Sequence, residues 1–92
     1  MNAETKVNVE RRLKSIAGHV AGIQRMVDQD TYCVDVIKQI QAVQAALNKV
    51  NDMILENHLH TCVISAVRGE DKDEREKVLG EIVSVFEMAQ RI

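Results

Sequence analysis

The stretch from Val34 to Thr61 contains neither glycine nor proline, and it constrains the fold more than any other feature of this chain. Apolar residues recur through it at alternating spacings of four and three, which is the period of an α-helix. These residues are Val36, Ile40, Val43, Leu47, Val50 and Ile54. The pattern predicts one long helix from about Cys33 to Val67, roughly 50 Å in length at the α-helical rise.

Two shorter helices are predicted on either side of the long one. The first should run from about Val7 to Val27, because six apolar residues again alternate four and three positions apart. They are Val9, Leu13, Ile16, Val20, Ile23 and Val27. The third should run from about Glu74 to Gln90. Its apolar residues are Val78, Leu79, Ile82, Val83, Val85 and Phe86.

Two short polar segments separate the predicted helices. In the first, Asp28–Thr31, either Asp30 or Thr31 can cap the start of the long helix. In the second, residues 68–73, Gly69 is expected at the C′ position that ends the long helix, where glycine is common. Asp71 or Asp73 is then expected to cap the third helix.

The composition favours an all-α protein. Apolar residues make up 46% of the 92 residues, but aromatic residues only 2%, and the chain has no proline and four glycines. Such a chain has little of the turn chemistry that a sheet requires. We therefore predict a single domain over residues 1–92, a three-helix protomer with a long second helix.

The long second helix also predicts self-association. Two shorter helices cannot cover its apolar stripe, which would leave an exposed patch too large for a stable soluble monomer. The simplest solution is a two-fold dimer in which the long helices run antiparallel, so that the two protomers form a four-helix bundle.

Cys33, His58 and Cys62 are candidate metal ligands. His58 and Cys62 are four residues apart and would share one face of an α-helix, where they continue the apolar stripe. Cys33 lies about 37 Å from His58 along an unbroken helix, too far to share one ion with it. Either the helix breaks, or two subunits share the site. In an antiparallel dimer, Cys33 would lie beside the partner subunit's His58 and the partner subunit's Cys62, which gives two equivalent sites.

Two thiolates and one imidazole form a soft ligand set. Soft ligands select Cu(I), which is our first expectation. Zn(II) is the second, with His60 or a water as the fourth ligand that zinc normally needs, and Ni(II) or Co(II) is the third. The alternative interpretation is structural, because a cysteine on an apolar helix face is commonly a small buried hydrophobic residue.

The charge distribution is uneven. Residues 1–50 carry seven Lys or Arg against five Asp or Glu (+2), whereas residues 51–92 carry five against nine (−4). The early positive charges form either a solvated helix face or a modest nucleic-acid-binding surface. They are Lys6, Arg11, Arg12, Lys14 and Arg25.

The chain shows no signal of export, membrane insertion or catalysis. It has no segment that resembles a signal peptide and no apolar run long enough to span a membrane. We therefore expect a cytoplasmic protein, in which structural disulfides are rare. No acid–base constellation or glycine-rich phosphate loop is present, so neither an enzyme nor a small-molecule substrate is expected.

Three segments of the chain resemble the copper-sensing (CsoR-type) operon repressors. They are Tyr32–Ile37, Gln39–Gln44, and Asn57–Leu59 together with Cys62. The resemblance extends from about Val9 to Phe86. It implies an all-α dimer that assembles into a dimer-of-dimers tetramer and binds operator DNA without a helix-turn-helix. It further implies that Cu(I) releases the DNA and derepresses copper efflux or resistance genes.

The same resemblance implies roles for individual residues. Cys33 of one protomer would bind Cu(I) together with the partner subunit's His58 and the partner subunit's Cys62. Tyr32 and Glu81 match residues beside the ligands, Glu81 only if the loop at residues 69–74 is longer than usual. Arg12 and Lys49 match basic residues that the family needs for DNA binding. The neighbouring Arg11 and Lys14 are candidate phosphate partners.

Several departures from the family pattern leave alternatives open. Lys49 stands where arginine is frequent, and Ala17 stands where another arginine is frequent. Relatives that sense nickel or cobalt carry an additional early histidine and replace the last cysteine, whereas persulfide sensors tend to lack the histidine, so His58 favours copper. The alternatives are a redox or persulfide repressor that joins Cys33 and Cys62 of different subunits, and a copper storage or transfer protein without DNA.

Overall fold

The computed structural model describes residues 1–90, with side chains up to residue 88, and every element in that range is helical. The elements are α1 (Ala3–Asp28), α2 (Cys33–His58), a π-helical turn (Leu59–Val63), α3 (Ile64–Arg68) and α4 (Lys72–Gln90). The all-α prediction is confirmed, and the predicted second helix corresponds to α2, the π turn and α3 in direct succession. Residues 91 and 92 of the predicted domain lie outside the described residues.

The chain divides into two compact units, Met1–Leu55 (unit 1) and the residues from Glu56 onward (unit 2). Unit 1 contains α1 and most of α2. Unit 2 contains the last turn of α2, the π turn, α3 and α4. Within residues 1–90, no helix has both the length and the apolar character needed to cross a membrane.

α1 begins earlier than its apolar stripe indicates. The Asn2 side chain caps the helix, because its Oδ1 accepts the Thr5 N–H at 2.8 Å. Asparagine is among the preferred N-cap residues, since its oxygen satisfies an N–H that has no partner within the helix. The first turn is polar, so an apolar stripe does not extend to it.

α1 ends in a Schellman motif. The Thr31 N–H donates to the Met26 carbonyl at 2.9 Å, and the Asp30 N–H donates to the Val27 carbonyl at 3.1 Å. Asp30 has φ 55°, in the left-handed region that aspartate tolerates better than most residues. Asp30 and Thr31 therefore close α1.

Neither Asp30 nor Thr31 caps α2, contrary to the prediction. Tyr32 precedes that helix, and its carbonyl accepts the N–H groups of Asp35 and Val36.

α1 and α2 pack against each other in unit 1. Their shared core consists of Val9 and Ile16 on α1 and Val43 and Val50 on α2, each at most 9% exposed. In each helix the two residues are seven positions apart. The short connection makes the helices antiparallel, and a hydrogen bond between His19 Nε2 and Gln39 Oε1 (2.7 Å) joins them across the hairpin.

The apolar stripe of α2 divides into two faces. Val43 and Val50 are buried against α1, whereas Ile40, Leu47 and Ile54 remain more than a third exposed. The exposed residues are also seven positions apart, and α1 has a matching exposed row. That row consists of Leu13, Val20 and Val27. The hairpin of unit 1 thus has an inner apolar core and an outer apolar face.

Unit 2 is built by α4 packing against the π turn and α3. Val63 of the π turn and Val78 of α4 are its buried apolar residues. Gly69 is the C-cap of α3, with φ −74° and ψ 165°, and its N–H donates to the Ser65 carbonyl. The predicted C′ role of Gly69 is therefore wrong, because the chain leaves α3 in an extended conformation.

Asp71 is the residue that starts α4. Its Oδ1 accepts the N–H groups of Asp73 at 3.0 Å and Glu74 at 3.2 Å. Of the two predicted caps, Asp71 is confirmed. Because α4 carries Glu81, this cap also sets where the helix that faces His58 begins.

Replacing Asp71 tests how much this cap stabilises the protein. We expect Asp71→Ala to lower the free energy of unfolding by about 1 kcal/mol, because two helical N–H groups lose their acceptor. Asp71→Asn keeps an acceptor oxygen and should lose clearly less. Urea denaturation followed by circular dichroism measures both variants, and an equal loss in the two would attribute the effect to the charge and not to the cap.

Candidate metal centre

His58 and Cys62 lie on either side of a change in helix type. His58 is the last residue of α2, and Cys62 is in the π turn, in which the Ile64 N–H donates to the Leu59 carbonyl five residues earlier. Four residues complete more than one turn of an α-helix but less than one turn of a helix with such bonds. The bonding between the two residues is therefore not α-helical as predicted, although they are still separated by close to one helical turn.

His58 lies beside Glu81 within unit 2. Its Nε2 is 3.9 Å from Glu81 Oε2, and the two side chains are 35% and 50% exposed. This distance exceeds that of a hydrogen bond but lies within ion-pair range. α4 delivers Glu81 to this position by packing against the π turn.

Cys62 is an exposed free thiol. The Thr61 Oγ1 is 3.5 Å from its sulfur. The residue also lines an open cavity of about 320 Å³ between the π turn, α3 and the start of α4. Glu70, Asp71 and Glu74 line the same cavity. The sulfur is therefore within reach of solvent and of small reagents.

Cys33 belongs to unit 1. It is the first residue of α2, its thiol is exposed and free, and the side chain of the preceding Tyr32 is exposed as well. Among residues 1–90, no three His, Cys, Asp or Glu side chains come together in a way that could hold a metal ion.

The structure adds two residues that the sequence does not predict for the site. The Thr61 hydroxyl donates to the Asn57 carbonyl at 2.9 Å, and Asn57 is only 7% exposed. The seven-residue spacing from Val43 to Val50 to Asn57 is a sequence signal for a buried position. The hydroxyl bond of Thr61 has no comparable signal. His60, the alternative zinc ligand, is exposed on the π turn.

The predicted DNA-binding residues are all exposed and all lie in unit 1. Arg11, Arg12 and Lys14 are on the first half of α1, and the antiparallel pairing places Lys49 of α2 level with that half. Arg11 donates to the Asn8 side chain at 3.3 Å. Within residues 1–90, none of the four cations forms an ion pair, so no carboxylate of the described residues compensates the charge of these cations.

Residues 5–88 match the model of the metal-sensitive transcriptional repressors. The chain belongs to this family. The copper-sensing transcriptional repressor CsoR of Bacillus subtilis (strain 168) is 44% identical over 85 residues, which cover 92% of this chain and 81% of that protein. CsoR of Mycobacterium tuberculosis (strain H37Rv) is 55% identical over 56 residues, covering 61% and 47%.

Solved structures of family members share the fold. The copper-sensing repressor CsoR with Cu(I) from Geobacillus thermodenitrificans NG80-2 has a TM-score of 0.87 and 38% identity, and the match covers 98% of this chain and 91% of that one. A variant of the formaldehyde-responsive regulator FrmR from Salmonella enterica serovar Typhimurium has a TM-score of 0.80 and 27% identity, covering 95% and 96%. The resemblance to CsoR-type repressors is confirmed. Because the fold also serves a formaldehyde-responsive protein, the inducer must be inferred from the site.

Proposed function

We propose that the protein is a cytoplasmic Cu(I)-responsive transcriptional repressor, which binds operator DNA without metal and releases it when Cu(I) binds. The observation that carries this proposal is the donor set of Cys33, His58 and Cys62 in a chain of the repressor family. Similarity to copper-sensing relatives and to a structure with Cu(I) supports the same function.

The ligand chemistry fits Cu(I). Both thiols are free, both are exposed, and the His58 imidazole is partly exposed, so all three donors are accessible. Two sulfurs and one nitrogen suit a soft ion of low coordination number, whereas zinc usually takes four protein ligands in a structural site. When bound, Cu(I) would supply a soft cation that links two subunits.

Glu81 can orient His58 toward the metal. Metal-binding histidines commonly donate their second ring N–H to a carboxylate, which fixes the ring and raises its basicity. Here Nε2 is the nitrogen beside Glu81, which leaves Nδ1 for Cu(I). Tyr32, next to Cys33 in sequence, would contribute from the other subunit.

The site is proposed to lie between subunits. Cys33 is the first residue of α2 and His58 is its last, so these two ligands stand at opposite ends of one helix. The outer apolar face of unit 1 offers a surface for a second copy of the hairpin, with rows of residues seven positions apart on both helices. An antiparallel dimer would cover this face and bring Cys33 to the partner subunit's Cys62. Assembly of two dimers into a tetramer is proposed from the family resemblance.

DNA would be bound through the basic end of the unit 1 hairpin, which consists of Arg11, Arg12, Lys14 and Lys49. Cations without protein partners can neutralise DNA phosphates. This electrostatic attraction dominates the affinity of proteins for DNA and makes the affinity depend on salt. Cu(I) would act by favouring a dimer conformation with lower DNA affinity. The coupling is reciprocal, so DNA must lower the affinity for Cu(I) by the same factor.

Fluorescence anisotropy of a labelled fragment from upstream of the protein's own gene tests this proposal under anaerobic conditions. One equivalent of Cu(I) per protomer should weaken DNA binding by roughly 5- to 150-fold, the usual range of allosteric coupling. Zn(II) at the same concentration is the control and should have a much smaller effect. Unchanged affinity with Cu(I) contradicts the proposal, and a failure to bind the fragment at all would favour a copper storage or transfer protein.

The second candidate function is sulfur sensing, which the exposure of both free thiols favours. In that case Cys33 and the partner subunit's Cys62 would be joined by a disulfide or polysulfide bridge. Intact mass spectrometry after treatment with inorganic polysulfide distinguishes the two functions. A cross-linked dimer that no longer binds DNA, together with weak Cu(I) binding, would favour sulfur sensing over copper sensing.

A further inference from the structure

The π turn is the one departure from α-helical bonding between Cys33 and Arg68 in the described chain, and it begins directly after the proposed ligand His58 and contains the proposed ligand Cys62. His58 before it and Ile64 after it have α-helical dihedrals, with φ −59° and −60°. The irregularity is therefore confined to Leu59–Val63 and includes Cys62. Single π turns inside helices are frequent at functional sites.

The hydrogen bond of the Thr61 hydroxyl is a candidate cause of this turn. The hydroxyl donates to the Asn57 carbonyl, which is the acceptor that the Thr61 N–H would use in a regular α-helix. A threonine hydroxyl bonded to the carbonyl four residues earlier competes for that acceptor and bends or opens the helix. Because Asn57 is buried, water competes little with Thr61 for this carbonyl.

The same hydroxyl also faces the proposed ligand Cys62, at 3.5 Å from its sulfur. Thr61 thus contacts the backbone of α2 just before His58 and the sulfur of the adjacent Cys62 within the turn. One hydroxyl group therefore connects the two halves of the proposed site within a single subunit.

We propose that Thr61 is a positioning residue, whose hydroxyl holds the π turn and thereby sets the Cys62 sulfur relative to the His58 imidazole for Cu(I). This inference rests on the proposed function, because it assumes that both residues bind Cu(I). It adds a residue that does not itself bind the metal, and a local helix geometry on which the affinity depends.

The matched variants are Thr61→Val, which keeps the shape but removes the hydroxyl, and Thr61→Ser, which keeps the hydroxyl. In the metal-free protein, we expect amide hydrogen exchange at residues 61–64 to be slower in Thr61→Val than in wild type, because α-helical bonding is restored. Thr61→Ser should exchange like wild type. This measurement does not depend on copper.

Cu(I) affinity is measured next, by anaerobic competition with a chelator. We expect Thr61→Val to bind about 10-fold more weakly, as is usual when a residue that orients a ligand is removed, and Thr61→Ser to bind like wild type. The inference is overturned if exchange in Thr61→Val is unchanged, or if exchange slows while the Cu(I) affinity stays the same. If wild type itself does not bind Cu(I), the proposed function fails, and with it the affinity part of this inference, while the exchange data still decide whether Thr61 holds the turn.

Discussion

A mixture of Cys33→Ser and Cys62→Ser protein binds Cu(I), although each variant alone has lost its tight site; this is the expected result if two subunits share the ligands. Each homodimer lacks one of the two sulfurs at both of its sites. In a mixed dimer, the intact Cys33 of one protomer meets the intact His58 and Cys62 supplied by the Cys33→Ser protomer. One complete site is therefore restored, and the other lacks both sulfurs.

The amount of restored binding can be calculated. With random association, about half of the dimers are mixed and each has one of two sites, so about a quarter of the wild-type capacity returns. In the proposed tetramer, two different affinity tags remove only the assemblies made of a single variant, so purification should raise this fraction to no more than about 0.3. Mixing is done by unfolding and refolding the two proteins together under anaerobic conditions, and tight Cu(I) binding is measured by chelator competition.

A second mixture is the matched control. His58→Ala and Cys62→Ser remove ligands that come from the same protomer, so no mixed dimer of these two contains a complete site. This mixture should restore nothing. If it restores as much as the first mixture, or if neither restores any binding while the mixed dimers form, the ligands are not divided between subunits as proposed.

The sequence was sufficient for the helices because their apolar residues are periodic. The stripe from Val36 to Ile54 indicated α2, and Asp71 was one of the two caps predicted for α4, since both signals are local. The stripe could not show which of its residues face α1. That division, with Val50 buried and Leu47 exposed, depends on how α1 packs against α2.

The candidate site was less accessible to prediction. The spacing of His58 and Cys62 made them candidate ligands but assumed an α-helix between them, whereas the structure has a π turn there, which we attribute to the Thr61 hydroxyl bond. The closure of α1 at Asp30 similarly depends on one left-handed residue, a conformation that aspartate adopts only in some contexts. Glu81 could be suggested only through the family resemblance, because its approach to His58 depends on how α4 packs against the π turn.

Arg12→Ala and Lys49→Ala are each expected to weaken operator binding by about 10- to 100-fold, because each change removes a cation proposed to bind phosphate from every subunit on the DNA. Both side chains are exposed, and neither forms an ion pair within residues 1–90. Their replacement should therefore leave the fold and the Cu(I) affinity of the free protein unchanged. Fluorescence anisotropy with the operator fragment measures the decrease in affinity.

Lys38→Ala is the control within the same hairpin. Lys38 is also an exposed cation of α2, but the antiparallel pairing places it toward the α1–α2 connection, away from the level of Arg12. The variant has the same net charge as Lys49→Ala. Equal decreases for Lys38→Ala and Lys49→Ala would show that overall charge, and not the basic end of the hairpin, determines DNA binding.

The dependence on salt separates direct phosphate binding from an indirect effect on folding. A cation that binds phosphate displaces counterions from the DNA, so each such interaction that a substitution removes should reduce the slope of log affinity against log salt by about one. Lys49→Arg keeps the charge and adds the planar, bidentate geometry that suits phosphate. The salt slope of this variant should therefore equal that of wild type, and its DNA affinity should be at least as high as that of wild type. A Lys49→Ala protein with weaker binding but an unchanged slope would place Lys49 outside the DNA-binding surface, since the decrease in affinity would then have no electrostatic origin.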